Sequence, residues 1–397
     1  MTDKNADKTN VLKETGEVMS ESVLIELVGR NRDVFQAIIN PSEEVKLAAV
    51  QKDASAIRHI KDPSEEVQLA AVQKDGDVIE HIEHPTEKVQ LVAVEQNLNA
   101  IQYIEHPTEK VQLAAVQQNG FAIKHIENPS EEVQLAAVQK DFKAIRCIAN
   151  PTEEVQLNAV ALQKDDNVIE RIKNPTKEVQ LAAVQKNVEA IRCIKDPTEK
   201  VQLNAVALQK DDNVIEHIKN PTEEVQIAAV QKNGHAIKHI EKPTEKVQLV
   251  AVQQNGNAIE HIKESSEKVQ LTAVQKDGHA IEHIKEPSEE VQIAAVQQNG
   301  HAIKHIENPS EEVQLAAVQE DGSAILYIDI ENPSEEVQLA AVQQDGDAIQ
   351  YIRDPSEKVQ LAAVQQNGYA IRHIEDPSAN VISLAINLTE QASKDTA

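Results

Sequence analysis

The chain has 397 residues, no tryptophan, 2% aromatic residues and a formal net charge of -27, a balance that weighs against direct binding to nucleic acid or anionic lipid. Two cysteines, Cys147 and Cys193, are too few for a disulfide framework and fit a reducing compartment. No apolar run approaches the roughly 18 residues of a membrane span, and the polar start MTDKNADKTN carries no secretory signal, so a cytoplasmic protein is expected.

In chain order, residues 1–18 read as an irregular or disordered N-terminus, because they are polar and lack periodicity. Residues 19–40 read as a divergent capping repeat, with Val23, Val34, Phe35 and Ile38 on its apolar positions. From Pro41 to residue 376 one repeat is written fifteen times. All fifteen prolines of the chain occupy the same place in it, and Ser265 takes the place of a sixteenth. The step is 22 residues, except for three steps of 24. Two of these carry LNAVALQ in place of LAAVQ, and the third adds residues at YIDIENP. Residues 377–397 read as a C-terminal capping half-repeat (VISLAINL) and a polar tail, disordered from about residue 392.

Within the repeat, Asn40-Pro41-Ser42-Glu43 predicts a helix start, with Asn as N-cap, Pro in the first turn and Glu three residues after the cap. The segment VKLAAV (45–50) supplies an apolar face, with Ala48 and Ala49 allowing close approach of a neighbour. Asp or Asn, usually followed by Gly, closes the helix. Phe142 and Val188 stand at that Gly position elsewhere, so a positive backbone angle is not obligatory there. The second segment, such as Ala302–Ile306, has its Ile residues three apart and predicts a short helix, in part 3₁₀. Neither helix is stable alone at about two turns. Stacked repeats bury Val, Leu, Ala and Ile on both sides, which is the logic of a solenoid. The expected fold is all-α, a superhelical α-solenoid of about sixteen two-helix repeats of 22–24 residues, with a contour near 150 Å at roughly 10 Å per helix layer.

The motif DPSEEVQLAAVQ (62–73) resembles the second helix of HEAT repeats, and the short unit is similar in length to the leucine-rich-repeat variant. VQLAAVQQNGYAI (359–371) is also similar to an uncharacterised short helical repeat of bacteria and phages. These resemblances imply an α-solenoid and are unspecific for function, because the families are defined mostly by shape; the near-identity of the repeats suggests recent expansion by duplication, as in phage and bacterial interaction proteins. HEAT repeats place Arg after the Val, where this chain has Gln, so the polar ladder attributed to that Arg does not carry over. The cluster-binding cysteines of the leucine-rich-repeat variant have no counterpart.

Comparing the repeats with one another singles out two columns, four residues apart, on the second segment. They contain all four tyrosines, both cysteines and twelve of the fourteen histidines. The candidate binding residues are His59, Tyr103, Phe121, His125, His239, His283, His301, His305, Tyr327, Tyr351, Tyr369 and His373. On a helical wheel the columns of Ala56, Ile57 and Ile60 face the core and Arg58 points outward. Two readings stay open: a half-buried shelf packed on the next repeat, or a recognition ridge, for which Tyr and Arg are apt residues. The pairs His235/His239, His279/His283 and His301/His305 suit a Zn or Ni ion by spacing alone. A structural zinc needs four ligands, and no cysteine sits beside them. No metal and no cofactor are therefore expected. An enzyme is not expected either, because nucleophile motifs and phosphate-cradling glycine loops are absent and the Glu pairs recur in many repeats. The chain reads as a protein-binding scaffold without direct nucleic-acid or membrane contact. The alternative is an acidic DNA mimic that inhibits a DNA-binding or defence protein, although -27 charges over about 150 Å are far sparser than one per ~1.7 Å of duplex.

Overall fold

The structure, a computed structural model, describes residues 10–12, 16, 18–31, 33–164, 167–209, 214–328 and 333–395. The disorder expected for residues 1–9 and 396–397, and the added residues at 329–332, lie outside the described residues. Contacts divide the chain into two compact halves, Met1–Ile194 and Lys195–Ala397. In each half the repeats build an all-α solenoid-type array, every repeat a ten-residue α-helix followed by a 3₁₀ helix. The first pair is Glu43–Lys52 with Ala54–His59; a late one is Glu357–Gln366 with Gly368–His373. The second segment is thus 3₁₀ throughout, not in part.

The core follows from the repeat. Val45, Ala49 and Val50 bury one side of the α-helix at 2% exposure or less, while Ile57 and Ile60 seal it from the 3₁₀ helix. The same columns recur at the same depth, for example Val291, Ala295, Val296 and Ile303. The buried Ala between the two Val positions, Ala49 in the first repeat, lets adjacent helices approach closely, and branched side chains fill the remainder.

The helix start differs from the sequence expectation. Ser42, not Asn40, is the N-cap: its hydroxyl accepts from Val45 N, and Glu43 is the first helical residue. Asn40 instead has φ 53°, and six further residues before the repeat proline share that left-handed backbone. Asn and Asp tolerate this region better than other side chains, which explains their frequency there. The Glu does not complete a capping box within its own repeat. The cap hydroxyl of the following repeat donates to it, as in Thr108 Oγ1 to Glu87 at 2.8 Å and Ser356 Oγ to Glu335 at 2.7 Å. In most repeats the Ser or Thr therefore serves its own helix as acceptor and the preceding helix as donor, as Ser310 does with Val313 N and Glu289. The Gln after the first Val is also held in place, because its Nε2 donates to the carbonyl of its own proline, 2.9 Å for Gln112 and Pro107. This bond stands where the HEAT resemblance would place Arg.

The Asp or Asn that ends the α-helix also caps the 3₁₀ helix, its side chain accepting from the N–H two residues on, as Asn299 does from His301 at 3.0 Å. The LNAVALQ insertions replace this short cap with a longer one. Gln163, 4% exposed, accepts from Val168 N at 2.9 Å, and Gln209 accepts from Val214 N at 3.3 Å. In the repeats that follow, Lys186 donates to Ala161 O at 3.1 Å and Lys232 to Ala207 O at 2.8 Å, covering carbonyls at the altered helix ends.

Two terminal features were not expected. Strands β1 (Asn10–Leu12), β2 (Val18–Met19) and β3 (Ile38–Ile39) form an antiparallel sheet in the order β2-β1-β3 beside the capping repeat. In that repeat Leu24, Val28, Phe35 and Ile38 are buried, whereas Val23 is 44% exposed, since the inner side of helix Glu21–Arg30 is set by Leu24 and Val28, four apart. At the other end, helix Ala379–Asp395 continues through most of the polar tail.

Candidate functional site

In each half the 3₁₀ helices form one edge of the array, and both variable columns lie on it. A 3₁₀ helix has 3.0 residues per turn, so residues four apart stand about 120° apart, against about 40° in an α-helix. The expected His/His pairs within one repeat are consequently not brought together face to face. Contacts run between repeats instead, from the first column of one to the second column of the next, 26 residues on. His235 meets His261 edge to face at a centroid distance of 5.6 Å, and His279 meets His305 at 5.6 Å. His301 meets Tyr327 at 5.0 Å. Asp347 Oδ1 lies 3.8 Å from His373 Nε2, and Asn167 Nδ2 lies 3.6 Å from Cys193 Sγ. Phe121 takes the guanidinium of Arg146 over its ring at 4.9 Å.

First-column side chains also reach the cap residue of the next repeat. His235 Nε2 is 2.8 Å from Asn255 Nδ2, His279 Nε2 is 3.2 Å from Asn299 Nδ2, and Asn257 Nδ2 donates to Asp277 Oδ2 at 3.0 Å. Second-column histidines face an acid of the preceding repeat: His239 Nδ1 is 3.6 Å from Glu216 and His305 Nε2 is 3.7 Å from Glu282. Sequence comparison singled out the columns but missed these cap and Glu partners. The signal available was the 20- and 23-residue spacing of polar side chains across the repeat boundary.

The candidates differ in burial. His125, His239, His305 and His373 are half-buried, as are Phe121 and His301, whereas His59 and His283 are exposed. Arg58 Nε donates to His59 Nε2 at 3.1 Å, and Gln36 Nε2 stands 3.3 Å from the same atom. All four tyrosines are exposed: Tyr103 and Tyr327 by 38%, Tyr351 by 40% and Tyr369 by 58%. Leu326, beside Tyr327, is 51% exposed.

Burial pushes the imidazole pKa of His125, His239, His261 and His305 below 6.5, and neighbouring Lys and His side chains push the same way. Glu216, Glu260 and Glu282 oppose this at His239, His261 and His305 respectively. Burial and the nearby Glu170 raise the Cys193 thiol to about 11, so it stays protonated near neutrality.

One cluster has the composition of a catalytic triad. His301 Nε2 lies 3.0 Å from both Ser323 Oγ and Asp321 Oδ2. Ser323 donates its N–H and its hydroxyl to Asp321 Oδ1, at 2.9 and 2.8 Å, so Asp321 acts as the cap of Gly322–Tyr327. A triad needs Asp on the ring nitrogen opposite to Ser, and here both share one nitrogen. Among the described residues no group of three or more His, Cys, Asp or Glu could hold a metal ion. Among the same residues no helix is long and apolar enough to cross a membrane. No family model matches the chain, and no curated protein matches it.

Proposed function

We propose that the chain is a non-enzymatic scaffold of HEAT-like plan, working in the cytoplasm, that recognises another protein along the edge formed by its 3₁₀ helices. The observation that carries this reading is the exposure of all four tyrosines, Tyr103, Tyr327, Tyr351 and Tyr369, on an edge whose histidines are largely tucked against the next repeat. Tyr offers a large amphipathic contact at low entropic cost, and it dominates binding hot spots. The braces between repeats, such as His301 on Tyr327 and Asn257 on Asp277, hold that edge in register before a partner arrives, which lowers the ordering cost of binding.

Acidic DNA mimicry is the less supported reading. Most of the glutamates that open a helix are occupied by cap hydroxyls, and several, including Glu87 and Glu223, also face Lys110 or Lys246 at 3.3 and 3.5 Å. Replacing Tyr327, Tyr351 and Tyr369 together by Ala tests the proposal. Proteins captured from a host lysate by the parent chain are expected to be lost with the triple variant, at low and high salt alike. Retention of the same proteins by a folded triple variant, together with displacement by duplex DNA and a steep salt dependence, would favour mimicry.

A further inference from the structure

A second surface lies on the α-helices of the C-terminal half. Helices Glu289–Gln298, Glu311–Glu320 and Glu335–Gln344 contain no Lys or Arg, and no other run of consecutive ten-residue helices lacks both. In six other repeats the second helical residue is Lys, and four of these lysines pair with the first-turn Glu of the preceding repeat, as Lys246 does with Glu223 at 3.5 Å. In the three acidic helices that residue is Glu290, Glu312 or Glu336, all exposed. The acids rim an apolar strip. Leu271, Ile293 and Ala294 floor an open groove of about 430 Å³ whose edge is Glu289, Glu290 and Glu312. Leu315 and Leu339, half-buried, continue the floor through the next two repeats.

We infer that this face docks an amphipathic helix of a protein partner that carries Lys or Arg beside an apolar stripe. Charge complementarity over an apolar floor selects that occupant. An isolated cation would leave the half-exposed Leu and Ile surface uncovered, and an anionic membrane would be repelled. Neighbouring helices pack at roughly 10 Å, so the acidic rim repeats at that interval. A helix rises about 1.5 Å per residue, so basic residues seven apart recur every ~10.5 Å and meet one repeat each. The apolar stripe of such a helix follows the same heptad. None of these groove residues belongs to the 3₁₀ edge, so the inference stands apart from the tyrosine reading.

The probe is a fluorescein-labelled synthetic helix with a Leu stripe and Lys at every seventh position, titrated with the full chain by fluorescence anisotropy. Exposed ion pairs contribute up to about 1 kcal/mol each, so Glu290→Lys/Glu312→Lys/Glu336→Lys is expected to weaken binding about tenfold or more. Lys stands at this helical position in other repeats, so the fold tolerates it; Glu290→Gln/Glu312→Gln/Glu336→Gln gives a smaller loss in the same direction. The control Glu66→Lys/Glu132→Lys/Glu224→Lys makes the same change of net charge on other helices and is expected to leave affinity within about threefold. Leu315→Ser/Leu339→Ser is expected to weaken binding at constant charge, and the triple tyrosine variant to leave it unchanged. Equal weakening by both charge reversals, or none from the leucine changes in a folded chain, overturns the inference.

Discussion

Gly300 can be given the side chain it lacks. An ideal Cβ at this residue would stand 2.7 Å from Ala317 O, 3.0 Å from Asp321 Cβ and 3.2 Å from Asp321 N. All three belong to the next repeat, and the carbonyl contact lies well inside the roughly 3.5 Å optimum for non-bonded atoms. Gly300→Ala therefore has to push two repeats apart. Overpacking of this kind costs about 1–3 kcal/mol, and the reduced freedom of the unfolded chain returns about 0.4–1 kcal/mol. A net loss of about 1–2 kcal/mol is expected. The fold itself survives, because Ala54 occupies the same position in the first repeat at 5% exposure. A larger residue there is accommodated in different ways: Leu98 is 40% exposed and its 3₁₀ helix shortens to Ala100–Tyr103, whereas Phe142 and Val188 keep 3₁₀ helices of six residues. Guanidinium unfolding followed by circular dichroism reads the change as a shift in midpoint at constant slope. Gly29→Ala is the control, because nothing lies within 4 Å of its added carbon; in the last turn of helix Glu21–Arg30 that change is expected to stabilise by up to about 1 kcal/mol. If Gly300→Ala stabilises as Gly29→Ala does, the close approach of repeats is not what selects glycine.

Ser310→Ala removes both the acceptor for Val313 N at 3.4 Å and the donor to Glu289, and should lower stability by about 0.5–2 kcal/mol in thermal melts, while Ser310→Thr is neutral. Glu286, with φ 49°, sits where Asn or Asp stands in most other repeats; Glu286→Asn should raise stability by up to about 1 kcal/mol, and a decrease would show that this backbone is not strained. The lowered pKa of His239, His261 and His305 means that the unfolded chain takes up protons before the folded one. Their contribution is intact above the reference pKa of 6.5 and is lost as pH falls below it, towards their depressed folded values. Melting temperature should then fall from pH 7.5 to 5.5, a range of about one unit either side of that reference. The decline should be shallower once these three are replaced by Gln; an equally steep decline would place the titration elsewhere.

Much of the fold was legible because one repeat is written fifteen times. The proline period located every α-helix, and the Val, Ala and Ile columns located the core. The cap was misplaced by two residues because Asn40 and Ser42 are both good capping residues. The difference was readable by comparing repeats: the Ser42 position holds only Ser or Thr, while the Asn40 position also holds His84, Lys242 and Glu286. A side chain that must accept and donate at once has to be a hydroxyl; a residue that supplies backbone shape does not. The N-terminal strands, with sequences NVL, VM and II, are too short to show any alternation. The edge departs from expectation for a single reason. A period of 3.6 does not hold in a helix with three residues per turn, so residues of the two columns pair between repeats, 26 apart, and not within one repeat.

The 3₁₀ geometry also bears on packing and recognition, the two readings of the columns. Had each column been a free surface, residues 26 apart would bear no relation to one another. Instead Asp347 faces His373, Asn167 faces Cys193, and His301 lies under Tyr327. The second column packs to the depth that its partner in the preceding repeat permits. A histidine partner half-buries His261 and His305. Opposite the short Asp77 the ring of Tyr103 remains 38% exposed, and even against His301 the longer phenol of Tyr327 keeps 38% of its surface outside. Side-chain length therefore separates the second column in part: most of its imidazoles are half-buried at the brace, whereas the phenols of Tyr103, Tyr327 and Tyr351 extend past it, which is the surface the proposed recognition of a partner protein would use.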